Sequence, residues 1–175
     1  MAIEVDSTIV EGRWLRHVPA GVDPARRPDP PGDNRWQHGR AVDALYLADS
    51  ASCAWAEWYR HLAEAGMPPH VSLPRDLWSY DVSSLAVADL SDPDRLARVG
   101  LGRPRPGRRS WPAFQAVGEQ LARQGWRGLL VPSAARPASS VLVVFLLETM
   151  IPAELVADSY RRVTEPPAPP TGMRT

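Results

Sequence analysis

The sequence predicts an α+β fold: a single mixed domain with a central, largely antiparallel sheet flanked by helices. Apolar strand-like runs and amphipathic helical segments both occur along the 175 residues. They do not follow the regular strand–helix–strand alternation of a doubly wound parallel sheet. Hydrophobic residues make up 44% of the chain and charged residues 23%, which is an ordinary globular composition. A chain of this length fits one domain.

The first half of the chain contains two predicted strands and one predicted helix. Asp49 or Ser50 is a suitable N-cap for that helix, and Gly66 with Pro68 ends it. Proline, glycine and aspartate dominate the segment between the strands, which indicates a loop. In chain order the elements are a strand over 8–18, a loop over 19–34, a strand over 44–48 and a helix to about residue 65.

The second half alternates less regularly. Its last two predicted strands are apolar and rich in β-branched residues, and its longer helix has apolar residues at spacings of three and four. The predicted elements are 77–82 and 85–90 as paired strands or one bent strand, a helix over 92–100, a basic loop over 102–109, a helix over 111–124, and strands over 127–133 and 141–147.

The chain ends set the predicted domain boundaries. Residues 8–163 are expected to form the folded domain, and residues 1–7 an N-terminal extension. Residues 164–175 form a proline-rich tail with few apolar side chains. Such a segment cannot bury enough surface to offset its ordering entropy, so we expect it to be disordered.

Charge and cysteine content exclude several classes of function. The chain has 20 basic and 20 acidic residues, a balance that argues against direct nucleic-acid binding. The single cysteine, Cys53, excludes an internal disulfide and a multi-cysteine zinc site, and fits a reducing cytoplasm. We find no apolar run long enough for a membrane helix and no signal-peptide pattern.

All 20 basic residues are arginines. Without lysine, the chain cannot use Schiff-base chemistry or a phosphate-binding P-loop lysine. The four histidines show no metal-ligand spacing, so we expect them to be surface residues or local hydrogen-bonders and expect no metal site.

Helical geometry gives Glu57 a position at the margin of the core. The apolar stripe of its helix consists of Ala51, Trp55, Trp58 and Leu62. Glu57 points roughly 110–130° away from the centre of that stripe, beside the small residues Cys53 and Ala54. This position fits the wall of a cleft, and it also fits a solvated helix glutamate. Cys53 lacks a basic neighbour that would make it a nucleophile.

Several blocks in order resemble the RES domain family, which is named for an arginine, a glutamate and a serine. The resemblance covers roughly residues 12–147. Its blocks are RW (35–36), ALYLADS (44–50), a helix carrying Glu57, WPAFQAVGEQLA (111–122) and RGLLVPSA (127–134). The family consists of bacterial toxins that destroy NAD by cleaving the bond between nicotinamide and ribose. Their fold resembles that of ADP-ribosyltransferases.

The resemblance implies a set of site residues. The implied catalytic residues are Arg13, Arg35, Tyr46 and Glu57, and the implied substrate-binding residues are Arg13, Arg35, Tyr46, Gln115 and Ser133. The turn DNRWQHG departs from the family, in which glycines precede the arginine, so the turn lacks glycine's freedom at positive φ.

These residue types suit the implied reaction. Loss of nicotinamide develops an oxocarbenium-like cation on the ribose, which a carboxylate stabilises. Arginines bind the diphosphate of NAD or a free phosphate. A tyrosine can stack on nicotinamide or bind a ribose, and a serine can orient a phosphate or the carboxamide. NAD is then the substrate, with inorganic phosphate or water as the acceptor, and no cofactor or metal is expected.

Each residue also has a structural interpretation. Arg13 could pair with a surface acid, and Arg35 could pack on Trp36. Tyr46 could be a core tyrosine, and Ser133 could be a turn residue. The basic loop 102–109 could be merely solvated, or it could attract an anionic dinucleotide.

The resemblance therefore predicts an NAD phosphorylase or glycohydrolase that acts as the toxin of a type II toxin–antitoxin system in the cytoplasm. It implies a cognate Xre-type antitoxin with a toxin-binding domain, joined to the toxin in a hetero-oligomer. Two other functions fit the sequence: an ADP-ribosyltransferase that modifies a macromolecule, and an inactive RES-like binding module.

Overall fold

The computed structural model describes residues 2–39, 41–146 and 150–175. In these ranges the chain forms one mixed sheet with three α-helices and a short 3-10 helix. The elements are β1 (Asp6–Pro19), β2 (Ala44–Ala48), α1 (Ala51–Ala65), the 3-10 helix (Pro69–Ser72), β3 (Arg75–Asp89), α2 (Pro93–Arg98), α3 (Trp111–Arg123), β4 (Gly128–Pro132), β5 (Ser140–Phe145) and β6 (Leu155–Val163).

The sheet order is β1-β2-β5-β4-β3-β6, and β1 also pairs with β3. Strands β1 to β5 therefore close into a barrel. Strand β6 pairs with β3 but is not part of the closed ring. Every pairing is antiparallel except the short parallel contact between β3 and β4. The prediction of an α+β fold with a largely antiparallel sheet is confirmed.

The longest pairing joins β1 to β3, from Asp6 opposite Asp89 to Pro19 opposite Arg75. A bulge between Val10 and Gly12 bends β1, and Gly12 takes the positive φ of +90° that the bend requires. Of the two predicted arrangements for 77–90, the structure has one bent strand. Ser84 lies in it at a φ of 53°.

Helix α1 begins and ends as its sequence predicts. Ser50 is the N-cap, and its hydroxyl accepts a hydrogen bond from the Cys53 amide at 3.1 Å. Gly66 ends the helix in the left-handed conformation, with φ +64°. Trp55 and Trp58 are buried as expected. The helix thus places Glu57 where the predicted stripe geometry puts it.

Buried residues form two clusters on opposite faces of the sheet. One lies between the sheet and the helices and contains Trp36, Trp58 and Phe114. The other is built mainly from strand residues, including Trp14 and Tyr80. Strand β5 contributes alternate residues to both clusters. Leu147, the last residue of the predicted strand 141–147, lies outside the described residues.

Both chain ends contact the domain. Near the N-terminus, Ile3 exchanges two hydrogen bonds of 3.0 Å with the Gln124 side chain. In the proline-rich tail, Pro167 O accepts from Tyr59 Oη at 2.6 Å, and Thr171 O accepts from Arg136 Nε at 3.2 Å. The described helices include none with the length and apolarity to cross a bilayer.

Candidate active site

A cleft of about 490 Å³ lies beside helix α1. Its walls come from β1, the turn before β2, β2 itself, α1, the start of β3 and the end of β4. Among the described residues, four arginines line the cleft, and one carboxylate, that of Glu57, faces it. The polar and charged lining consists of Arg16, His17, Asn34, Arg35, Tyr46, Glu57, Arg60, His61, Ser72 and Arg75.

The carboxylate of Glu57 is fixed through both oxygens. Its Oε1 accepts from Ser133 Oγ at 2.5 Å and from the Ala135 amide at 3.2 Å. Its Oε2 accepts from Arg60 Nε at 2.8 Å. Its side chain is 22% exposed, so it faces the cleft without being freely solvated. Of the two sequence interpretations, the structure supports the cleft wall.

Arg35 reaches the cleft from the turn between β1 and β2 and is 5% exposed. Its Nη2 donates to Arg105 O at 2.6 Å, its Nη1 to Ser110 Oγ at 3.4 Å, and its guanidinium lies 5.4 Å from the centre of the Phe114 ring. Burial lowers the pKa of Arg35 to about 10, so the group stays charged at neutral pH. The packing partner is Phe114, not Trp36.

Tyr46 projects into the same cleft from β2. Its hydroxyl oxygen accepts from the Trp36 amide at 3.3 Å, which leaves the hydroxyl hydrogen for a bound molecule. Burial raises the pKa of Tyr46 well above its usual value, so the phenol remains protonated and acts as a donor.

A sequence model of the RES domain matches residues 12–164. The chain belongs to the RES domain family. Among curated proteins it is similar to the NAD(+) phosphorylase MbcT of Mycobacterium tuberculosis and of Mycobacterium bovis, with 34% identity over 102 residues. That alignment covers 57% of this chain and 55% of each relative, so the chain spans little more than half the length of the relatives it matches.

Among solved structures, this RES domain resembles the crystal structure of the M. tuberculosis MbcT–MbcA toxin–antitoxin complex. The TM-score is 0.74 at 27% sequence identity. The match covers 90% of this chain and 87% of the other chain. The similarity in structure therefore extends over more of the RES domain than the pairwise alignment.

Three of the predicted site residues, Arg35, Tyr46 and Glu57, meet in the cleft. Ser133 stands behind Glu57, is 1% exposed and gives its hydroxyl hydrogen to that carboxylate. Gln115 also lies behind the cleft, where its Nε2 donates to Asn34 O at 2.9 Å and to Gln37 O at 3.2 Å. From these positions Ser133 can orient Glu57, and Gln115 can orient the turn that carries Arg35. The resemblance implies direct substrate contacts for both Ser133 and Gln115.

Arg13 does not line the cleft. Its side chain is 64% exposed, and its Nη2 lies 3.9 Å from Asp158 Oδ2. This position differs from the one predicted by the resemblance, and it matches the alternative of a surface ion pair. The register of β1 with β3 is unbroken from Gly12 to Pro19, so Arg13 shares a strand face with Leu15 and His17. The cleft is lined by Leu15, Arg16 and His17, and Arg13 lies beyond its end along the strand.

The sequence interpretation assigns three of the polar cleft residues to the site and misses seven, among them Arg16, His17, Arg60 and Arg75. His17 was expected to lie on the surface or to form a local hydrogen bond; its ring stacks on Trp55 with centroids 5.4 Å apart, and its Nδ1 accepts from Arg75 Nε at 2.9 Å. Strand alternation could have indicated His17, because Leu15 and His17 share one face. For Arg60 the indication was its i,i+3 spacing from Glu57.

Burial raises the pKa of Cys53 to about 12, so its thiol is protonated at neutral pH. Cys53 is fully buried and its Sγ lies 3.7 Å from Ser140 O. This geometry agrees with the view that Cys53 is not a nucleophile. Within the described residues, no cluster of three or more histidine, cysteine or acidic side chains could hold a metal ion.

Proposed function

We propose that this RES domain cleaves the bond between nicotinamide and ribose in NAD and transfers the ADP-ribosyl group to inorganic phosphate. One observation carries the proposal: a doubly anchored carboxylate, Glu57, faces a cleft with three guanidinium groups that have no carboxylate partner among the described residues. Those groups belong to Arg16, Arg35 and Arg75. The relatives named NAD(+) phosphorylase support the same activity.

Glu57 supplies the stabilising charge. As the C–N bond breaks, its electron pair leaves with nicotinamide, and the ribose carbon develops positive charge. A carboxylate held by Ser133, Ala135 and Arg60 does not have to reorient to meet that charge. Nicotinamide departs as a neutral molecule, so the reaction needs no strong general acid. Among the described residues, the cleft accordingly offers a tyrosine donor and no acid paired with a histidine.

The three guanidinium groups without a carboxylate partner among the described residues can bind an anion. Arg16, Arg35 and Arg75 are charged at neutral pH, although burial lowers the pKa of Arg35 and of Arg75 to about 10. An anion between such groups offsets the cost of their burial. NAD brings a diphosphate, and three arginines exceed what it requires. The surplus favours phosphate over water as the acceptor.

The cleft is large enough to enclose part of a dinucleotide. Small-molecule sites span about 300–1,000 Å³, and this cleft holds about 490 Å³. The aromatic side chain of Tyr46 also lines it, and a tyrosine ring can stack on the nicotinamide or adenine ring.

The decisive experiment is nicotinamide release from NAD by the purified protein. Glu57→Gln keeps the shape of the side chain but removes its charge, so we expect kcat/KM to fall by about 100- to 1,000-fold. Glu119→Gln is the matched control, because Glu119 lies on α3 and outside the cleft, and its kinetics should equal those of the wild type. Normal turnover by Glu57→Gln would overturn the proposal.

The product identifies the acceptor. Phosphorolysis yields ADP-ribose-1″-phosphate at a rate that depends on added phosphate, and hydrolysis yields free ADP-ribose. Transfer of labelled ADP-ribose to protein or nucleic acid would instead identify a macromolecular ADP-ribosyltransferase. An intact NAD pool together with retained partner binding would identify an inactive binding module.

We further infer that the protein is the toxin of a toxin–antitoxin pair in the cytoplasm, bound by a cognate Xre-type antitoxin in a hetero-oligomer. The resemblance to the MbcT–MbcA complex supports a partner of this kind. Expression of the wild type alone should arrest growth and lower cellular NAD. Expression of Glu57→Gln should do neither, and co-expression with the adjacent antitoxin gene should restore growth.

A further inference from the structure

Arg60 is buried one turn beyond Glu57 on α1, with 8% of its surface exposed. Its guanidinium donates from Nε to Glu57 Oε2 at 2.8 Å and from Nη1 to Glu64 Oε1 at 2.6 Å. A planar guanidinium between two carboxylates has little rotational freedom. Arg60 therefore fixes the direction of the oxygen of Glu57 that Ser133 does not hold.

Glu64 continues the network into the basic loop 102–109. Its Oε1 accepts from the Gly107 amide at 2.7 Å. Gly107 has a φ of +90°, a conformation that other residues rarely adopt, so the loop turns at the point where Glu64 holds it. Two residues earlier, Arg105 O accepts from Arg35 Nη2 at 2.6 Å. The loop therefore links the position of the Glu64 carboxylate to that of the Arg35 guanidinium.

We propose that Arg60 and Glu64 are positioning residues that join the two halves of the active site, an inference that rests on the proposed cleavage of NAD. Arg60 orients the Glu57 carboxylate. Glu64, through Gly107 and the loop, orients the Arg35 guanidinium. The basic loop 102–109 is then a structural part of the site, and not simply a solvated segment or a device that attracts dinucleotides.

The two ends of this network affect different kinetic constants. Glu57 interacts most strongly with charge that exists only in the transition state, so an error in its direction lowers kcat. Arg35 binds an anionic group that is charged in the ground state and in the transition state alike, so an error in its position raises KM. A merely structural role would not separate the two constants.

The test uses nicotinamide release by the full chain. For Arg60→Met we expect kcat to fall by roughly 10- to 100-fold while KM changes by less than about 3-fold. Arg60→Lys keeps a charge near Glu57 but not the planar two-way contact, so it should recover part of kcat. For Glu64→Ala we expect KM to rise by roughly 3- to 10-fold with a smaller change in kcat.

The matched control is Glu119→Ala. Glu119 also forms an i,i+4 ion pair with an arginine, Arg123, at 3.4 Å, but on α3 and outside the cleft. Its kinetics should equal those of the wild type. Equal losses in Glu119→Ala and Glu64→Ala would show that loss of a helical ion pair alone causes the effect, and the proposal would fall.

Amide hydrogen exchange gives a readout that needs no turnover. The Ala135 amide donates to Glu57 Oε1, so its exchange should accelerate in Arg60→Met, and the Gly107 amide should exchange faster in Glu64→Ala. If the wild type released no nicotinamide, the proposed function would fail, and these rates would still decide the positioning roles. Unchanged exchange at both amides would overturn them.

Discussion

His17 is a base that the fold keeps neutral among cations. Burial is the main cause that lowers the pKa of His17 well below 6.5, and the charges of Arg75, Arg16 and His61 act in the same direction. The unfolded chain therefore binds more protons than the folded one below about pH 6.5. The free energy of unfolding should be fully retained above that pH and should decrease as the pH falls.

His17→Asn tests this pH dependence. Asparagine keeps an acceptor for Arg75 Nε but does not titrate. Between pH 7 and 5.5, urea denaturation of the wild type should show a steeper decline in the free energy of unfolding than the variant. The difference in slope should approach about 1.4 kcal/mol per pH unit. Parallel slopes for the two proteins would contradict the buried neutral state of His17.

At the residue scale, the sequence predicts Arg35, Tyr46 and Glu57 in one site, and the structure brings them together. The family resemblance is sufficient to predict these three residues, because each lies in one of the sequence blocks that carry the resemblance. Arg13 could not be placed in this way: it shares a strand face with Leu15 and His17, because the register with β3 is unbroken from Gly12 to Pro19, but it lies beyond the end of the cleft. Periodicity gives the face on which a residue lies and not how far along the strand a cleft extends.

At the element scale, the Arg35 turn needs no glycine at positive φ, and it packs closely against α3. The turn is closed by Asn34 N donating to Gln37 O at 2.9 Å, and none of its residues has a positive φ. A Cβ on Gly39, at the end of the turn, would lie 2.1 Å from Pro31 O, and a Cβ on Gly118, on the opposing helix, would lie 2.2 Å from Trp36 O. Glycine is required at both positions for close approach.

Gly118→Ala should therefore displace the turn or α3. We expect a loss of about 2–4 kcal/mol in the free energy of unfolding and a higher KM for NAD, because Arg35 moves with the turn. Ala116→Ser is the control, since it adds one atom to the same helix at an exposed position. Denaturant melts and initial rates measure both effects, and a Gly118→Ala protein with wild-type values would refute the packing argument.

The elements that the sequence predicts best are those with strong internal patterns. Helix α1 has a polar cap, an apolar stripe and a terminal glycine, and its bounds follow from them. Strand β6 is not predicted, because its residues are largely exposed and show no alternation. It is ordered by pairing with β3, an interaction between distant parts of the chain that no local window contains.

At the scale of the whole molecule, barrel closure assembles the site. Pairing of β1 with both β2 and β3 brings Arg16 and His17 beside Arg75, and pairing of β4 with β5 brings Ser133 to Glu57. The order of strand-like and helical segments predicts the α+β class but cannot predict this closure, because strand order depends on long-range contacts. Arg16 and Arg75 are missed as a consequence, since each is unremarkable within its own segment.

The C-terminal tail, residues 164–175, contacts the segment that holds Glu57. Beyond its bonds to Tyr59 and Arg136, the tail donates from the Arg174 amide to Ala135 O at 2.6 Å, on the same residue whose amide holds Glu57. A chain ending at residue 165 loses all three contacts and frees the segment that orients the carboxylate. We expect a lower Tm by a few degrees and a fall in kcat of about 2- to 5-fold.

Tyr59→Phe is the matched control, because it removes only the hydrogen bond to Pro167 O and leaves the contact at Ala135 intact. Its kcat should stay near the wild-type value, because the Ala135 segment keeps its own bond to the tail. Differential scanning calorimetry and nicotinamide release measure both proteins. If the truncated chain matched the wild type in Tm and kcat, the tail would behave as the disordered segment that its composition predicts, and orientation of Glu57 would depend on Ser133, Ala135 and Arg60 alone.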